Sequence, residues 1–288
     1  MSLPRGTAEL IANAYAEDLG ELGDITTAAV IDPRLESSAD LVARQAGCIA
    51  GLSVVEACFL HVDTAITMDR HRTDGDVVEG GSVLATVSGS TASILTAERV
   101  ALNLLGRLSG IATATRTYVD AVSGTGARIS DTRKTTPGMR ALEKYAVASG
   151  GGRNHRFGLY DAVLIKDNHI AAAGSIADAV RAARASVGPS VTVQVEVDTL
   201  DQLAAVLATD ADAVLLDNMG IDDLAAGVAL VGGRMLTEAS GGVTLESVRS
   251  IAETGVDVIS VGWLTHSAPA LDVGLDLRPT GNRLAQFE

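Results

Sequence analysis

Apolar residues recur at helical spacing over residues 7–20 and 53–61, whereas 40–45, 65–69 and 82–87 read as short strands broken by Gly and Asp turns. The first hundred residues thus mix helices with an antiparallel sheet. A long amphipathic stretch follows from Ala92 to Val122, its apolar face carried by Leu95, Val100, Leu102, Leu104, Leu105 and Leu108, with a break expected at Gly106 and Gly110.

Beyond Val122 the rhythm changes. Short apolar runs at 127–130, 162–165, 191–195, 213–216, 234–236 and 256–261 read as strands, and helical patterns at 175–186, 200–208 and 245–253 lie between several of them. Repeated strand–helix units imply parallel strands with helices outside, and this many favour a barrel over an open sheet.

Polar residues with obvious chemistry stand where these strands end. Asp131, Arg133 and Lys134 follow the first, Lys166 the second, Glu196 the third, Asp217 the fourth, Glu238 and Ser240 the fifth, and Gly262 the sixth. In a parallel barrel those ends share one rim, where sites are assembled from successive loops. Charges that merely close strands at the solvent boundary would account for one or two of them, but not for the set.

Composition narrows the chemistry. The 288 residues are 47% hydrophobic and 20% charged, ample for one large domain or two smaller ones. A formal net charge of −14 repels nucleic acid and anionic membranes over most of the surface, so any anion must be caught locally. The 22 basic residues are 19 arginines and three lysines, and Lys134, Lys144 and Lys166 all fall in one short stretch. A genome rich in G and C would make lysine scarce, but would not cluster it. The Asp74–Gly81 turn suggests the hairpin of lipoyl and biotinyl carriers, a role excluded because no lysine precedes Lys134. Cys48 and Cys58 are too few for a disulfide framework, and no apolar stretch resembles a signal peptide or a spanning helix. A cytoplasmic protein is expected.

The run from Asp131 to His169 is dense in donors. Arg133, Lys134, His155, Arg156 and Lys166 together suit a dicarboxylate or a phosphorylated ligand, since arginine grips a carboxylate with two parallel bonds and lysine adds a point charge. Surface ion pairs could explain any one of these residues, less readily the group. Glu196 and Asp217 have the opposite sign and could hold magnesium, bond a sugar's hydroxyls, or stabilise a developing cation. Ser240-Gly241-Gly242 and Val261-Gly262, each ahead of an expected helix, suggest backbone phosphate sites after late barrel strands.

The segments DTRKTTPGMRALEKYAV, GGGRNHRFGLYDAVLIKDNHI, VEVDTLDQL, LLDNM, EASGG and VGWLTHS resemble, in order, those of the quinolinate phosphoribosyltransferases, as do EDLGELGDITT and TAERVALNLLGRLSGIAT earlier. The resemblance covers nearly the whole chain. It implies an α/β fold of type II phosphoribosyltransferase architecture: an N-terminal α/β sandwich domain over residues 1–111, completed by 268–288, and an incomplete, seven-stranded-type α/β barrel over 112–267. It implies a homodimer in which Arg99 reaches the partner's site, and quinolinate and phosphoribosyl pyrophosphate as substrates. Arg133, His155, Arg156 and Lys166 would bind quinolinate. Lys134, Glu196 and Asp217 would contact phosphoribosyl pyrophosphate and Mg2+, the last two as metal ligands, direct or indirect. Ser240, Gly241, Gly242, Gly262 and His266 would surround a phosphate. Lys134, Lys166, Glu196 and Asp217 form the expected catalytic set.

The chain departs from the family pattern at two positions. Gln194 stands where many relatives carry a glutamate, which bears on the metal and pyrophosphate contacts, and Arg153 adds a cation where a small or apolar residue is common. Competing readings are a molybdenum-operon relative with another substrate, a nicotinate-using transferase, and a non-catalytic sensor on a retained barrel. The intact cationic set argues against the first two, and retention of the acidic set beside it against the third.

Overall fold

A computed structural model describes residues 3–278. In chain order the elements are α1 (Thr7–Leu19), α2 (Ile25–Val30), β1 (Glu36–Ala43), β2 (Gly47–Cys48), α3 (Leu52–Val62), β3 (Thr67–Arg70), β4 (Val77–Val78), β5 (Val83–Ser90), α4 (Thr91–Ala121), β6 (Arg128–Ser130), α5 (Arg140–Ser149) and β7 (Val163–Ile165). There follow α6 (Asp167–Ala173), α7 (Ile176–Ser186), β8 (Val193–Val197), α8 (Leu200–Val206), β9 (Ala213–Asp217), α9 (Ile221–Val231), β10 (Leu236–Ser240), α10 (Val248–Glu253), β11 (Val258–Ser260), α11 (Trp263–His266) and β12 (Val273–Leu277).

By its internal contacts the chain divides into two units: residues 1–114, 136–151 and 268–288 form one, and 115–135 with 152–267 the other. The sequence alone assigns 136–151, which hold α5, to the barrel; its contacts group it with the first unit. Glu143 shows why. Fully buried, it accepts hydrogen bonds from Arg107 Nη2 at 2.7 Å, Thr136 N at 2.9 Å and Thr136 Oγ1 at 2.8 Å, all within that unit.

The first unit carries an antiparallel sheet in the order β12-β1-β5-β3 and the small pair β2-β4. Leu41 and Val87 are buried in this sheet, and α3 buries Val55 and Phe59. Because β4 pairs with β2, the Asp74–Gly81 segment is not a free-standing hairpin. The edge strand β12 lies within the 268–288 segment; the rest of that segment, from 279 on, lies outside the described residues. α4 runs unbroken for 31 residues, so the expected break at Gly106 and Gly110 is absent. These glycines serve close approach instead. A Cβ on Gly110 would stand 2.0 Å from the carbonyl oxygen of Pro269, and Leu271 N donates to Gly106 O at 2.9 Å.

The second unit carries a six-stranded parallel sheet in the order β6-β11-β10-β9-β8-β7. Val193, Val195, Val214, Leu216 and Ile259 are essentially fully buried, as befits strands covered by helices. A seventh position is held by one residue: Arg153 bridges Ser130 in parallel. The next amide leaves the ladder because His155 N donates instead to Asp131 Oδ1 at 2.8 Å. Side-chain caps begin the outer helices, Ser175 accepting from Asp178 N at 3.0 Å and Thr199 from Gln202 N at 3.2 Å. The fifth barrel strand is Leu236–Ser240 rather than 234–236, because Leu236-Thr-Glu-Ala-Ser240 is too polar to read as a strand by apolar pattern.

Candidate active site at the barrel rim

Alternation along the strands sets the inner wall. Leu215 and Asp217 on β9 and Glu238 and Ser240 on β10 are pairs two residues apart, and all four line one cavity of about 390 Å³. Ser240 registers with Asp217, and Glu238 with Leu215. Asp217, Ser240 and Ser260 are the last residues of their strands, and Lys166 directly follows β7. The cavity thus opens at the strands' carboxyl ends, with Thr132, Arg133, Lys134, His155, Arg156, Leu164 and Lys166 completing its lining.

Arg133 and Arg156 are held as unsatisfied donors. Among the described residues, the buried Nε of each has no hydrogen-bond partner. Arg156 Nη1 donates to Ala162 O at 2.9 Å, which fixes the side chain. Burial, and then the neighbouring charge of Arg133, push the Arg156 guanidinium below its ordinary range, with Asp161 partly compensating. Two like charges with unspent donors in one wall favour an anion with more than one acidic group.

Lys166 Nζ and Glu196 Oε2 form an ion pair at 2.5 Å, and Lys166 N donates to His169 Nδ1 at 2.9 Å, fixing the chain where the lysine leaves it. Asp217 Oδ2 accepts from Asn218 Nδ2 at 2.7 Å. Gly262 lies beside Lys134 and His266: a Cβ there would be 3.2 Å from Lys134 Cδ and 3.4 Å from His266 Nε2.

Of the residues expected from sequence, Arg133, Lys134, His155, Arg156, Lys166, Asp217 and Ser240 line the cavity. Glu196 reaches it through Lys166, Gly241 and Gly242 follow Ser240, and Gly262 and His266 flank Lys134. Arg99 lies on α4 in the first unit, exposed, with Glu98 at 3.8 Å. Arg153 contributes backbone to the sheet and does not line the cavity. The Ser240-Gly241-Gly242 turn does not open a helix directly, because a turn at Thr244–Ser247 intervenes before α10, with Thr244 N donating to Ser247 Oγ at 3.0 Å. Thr132, Leu164, Leu215 and Ser260 were not expected as site residues, although inward alternation with Asp217 marks Leu215; Glu238, expected on the rim but given no role there, lines the cavity as well.

Glu238 is only 3% exposed. Burial pushes its carboxyl up, but hydrogen bonds from His155, Ser260 and Gln194 outweigh it and hold the group below its ordinary range.

A parallel α/β barrel whose C-terminal rim gathers arginines and lysines beside carboxylates defines a barrel enzyme for polyanionic substrates. Within that class, the chain belongs to the quinolinate phosphoribosyltransferase family. Residues 24–109 match the family's quinolinate phosphoribosyl transferase N-terminal domain and residues 111–276 its C-terminal domain. It is 44% identical over 269 residues to a probable nicotinate-nucleotide pyrophosphorylase (carboxylating) of Bacillus subtilis, covering 93% of this chain and 92% of that one. The corresponding protein of Mycobacterium leprae is 46% identical over 277 residues, with 93% and 96% covered. The nicotinate-nucleotide pyrophosphorylase structure from Francisella tularensis superposes with a TM-score of 0.92 at 38% identity, covering 96% of this chain and 98% of that one.

Proposed function

We propose that the rim cavity is where the two substrates meet, with the cationic wall taking quinolinate and the carboxylate side taking phosphoribosyl pyrophosphate. The chain is a decarboxylating phosphoribosyltransferase, joining quinolinate to phosphoribosyl pyrophosphate and yielding nicotinate mononucleotide, pyrophosphate and carbon dioxide in NAD biosynthesis. The observation that carries the division of roles is the pair of buried, unpartnered Nε donors on Arg133 and Arg156. They are suited to quinolinate's two carboxylates, with Lys166 as a further donor and His155 beside them in the wall.

Positioning and electrostatics then carry the reaction. The cationic wall aligns the ring nitrogen with the anomeric carbon. Glu196 and Asp217 stabilise the ribosyl centre as pyrophosphate departs and its charge becomes oxocarbenium-like. Lys134, Ser240, Gly241, Gly242, Gly262 and His266 hold the phosphates. Once the ring nitrogen is quaternised, the adjacent carboxylate leaves as carbon dioxide, and the electron pair left on carbon lies beside a positive nitrogen until it takes up a proton.

Glu196 and Asp217 are two hard oxygen donors, and no group of three or more potential metal-ligating side chains occurs among the described residues. That donor set fits a magnesium ion held partly by substrate phosphates. Bound there, magnesium would neutralise charge on the leaving pyrophosphate. Arg99 serves the site of a second copy in a homodimer. Buried Cys48 and Cys58, neither joined in a disulfide, agree with a reducing cytoplasm.

Calorimetric titration of quinolinate into Arg133→Ala and Arg156→Ala tests the assignment. Each variant is expected to bind at least about tenfold more weakly than the parent, the loss of one charge-assisted pair. Unchanged affinity in both would place quinolinate elsewhere.

A further inference from the structure

The cavity wall holds a buried carboxylate to which the substrate contacts above assign no task. Glu238 Oε2 accepts from Gln194 Nε2 at 2.8 Å and lies 3.5 Å from His155 Nε2, while Oε1 takes a short hydrogen bond from Ser260 Oγ. Gln194 and Ser260 are themselves buried, 6% and 4% exposed. The other ring nitrogen of His155 is also engaged, because the backbone N–H of Arg156 donates to Nδ1 at 2.8 Å. A nitrogen that accepts a hydrogen bond carries no proton of its own, so the ring's single N–H sits on Nε2, facing Glu238. The backbone is pinned as well: His155 N donates to Asp131 Oδ1 at 2.8 Å and Asn154 Nδ2 to Asp131 Oδ2 at 2.7 Å.

We propose that Glu238 is a positioning residue for quinolinate: it takes the single N–H of His155 and holds the ring as the Nε2–H tautomer, so the imidazole stands against the substrate as a fixed part of the wall and not as another cation. The proposal rests on the reading that His155 lies against quinolinate. The pocket's cations are then Arg133, Lys134, Arg156 and Lys166. His155 is not the acid that reprotonates the ring carbon, because a neutral imidazole giving up its only N–H proton would become an anion.

Gln194 completes the device. Its amide nitrogen can only donate, so Glu238 stays an acceptor with no proton between the two side chains. A glutamate at 194 would set two carboxyl groups in hydrogen-bond contact inside the protein, where they cannot both stay charged. One would take up a proton or swing away, and Glu238 would no longer be reserved for His155.

The test labels the five histidines with 15N and reads their tautomers by long-range 1H–15N correlation, with His155→Asn identifying the His155 signal. In the ligand-free chain His155 is expected with Nε2 protonated and Nδ1 bare. Glu238→Gln is expected to lose that single tautomer and to raise the KM for quinolinate about tenfold, with the KM for phosphoribosyl pyrophosphate changed less than about twofold. Gln194→Glu, which keeps both side-chain volumes, is expected to move both readouts in the same direction and serves if Glu238→Gln does not fold. An imidazolium or an Nδ1–H tautomer in the parent chain would overturn the proposal, as would variants that leave tautomer and KM unchanged. The expected tautomer in a chain that does not bind quinolinate would overturn the substrate reading on which it rests, a result separable from failure of the tautomer itself.

Discussion

Replacing Gly241 by alanine strikes the junction between the fifth barrel strand and the acidic side of the pocket. Gly241 has φ +95°, and an added Cβ would stand 2.1 Å from Asn218 Oδ1 and 2.9 Å from Asn218 N. Asn218 has little room to give. At φ 55° it is the one non-glycine residue with positive φ among those described, and its N–H donates to Ser240 O at 2.9 Å. The left-handed backbone costs alanine about 1–2 kcal/mol. Turning the Asn218 amide away forfeits its 2.7 Å bond to Asp217, about 1–2 kcal/mol more. A loss of roughly 3 kcal/mol in unfolding free energy is expected from these two terms, read as a lower urea midpoint at unchanged slope. Because Asp217 loses its partner, the KM for phosphoribosyl pyrophosphate should rise about tenfold, while quinolinate affinity, set on the opposite wall, should stay within about twofold. A variant as stable as the parent within about 0.5 kcal/mol, with both constants unchanged, would show that neither the left-handed backbone nor the Asn218 contact constrains this junction.

Gly110→Ala gains about 1 kcal/mol of helix propensity but drives a Cβ to 2.0 Å from Pro269 O and 3.0 Å from Ala270 Cα; a net loss of about 2 kcal/mol or more in urea unfolding is expected. Arg156→Lys removes the planar fork while keeping the charge, so quinolinate should bind about tenfold more weakly by calorimetry, and equal affinity would show that the fork is not used. Glu238 has its carboxyl held below the ordinary 4.5 in the folded chain. Its contribution to stability is therefore fully present above about pH 4.5 and is lost as pH falls through the lower folded value. Urea midpoints measured downward from pH 6 should fall less steeply in Glu238→Gln than in the parent, and parallel curves would contradict this.

The barrel strands were legible because buried parallel strands are apolar runs, and their polar ends placed Lys166, Asp217 and Ser240 on one rim. Glu238 was legible on the rim but its role was not, for a physical reason: its partners His155, Gln194 and Ser260 come from three other segments, and a linear pattern cannot show that they converge. Gly106 and Gly110 misled because a glycine in a helix reads as weakness, while here it admits another stretch of backbone. The helix after Gly242 begins late because Thr244 and Ser247 bond each other first, a local choice that apolar spacing does not record. Gln194, legible only as a departure from the family pattern, takes its meaning from the carboxylate it faces.

Whether the acceptor must carry two carboxylates is decided by incubating the purified protein with magnesium and phosphoribosyl pyrophosphate, adding either quinolinate or nicotinate, and following nicotinate mononucleotide by chromatography. Product from quinolinate alone, with one carbon dioxide released per nucleotide formed, is the expected result. Product from nicotinate, or from neither acid, would contradict the assignment of the two-carboxylate wall.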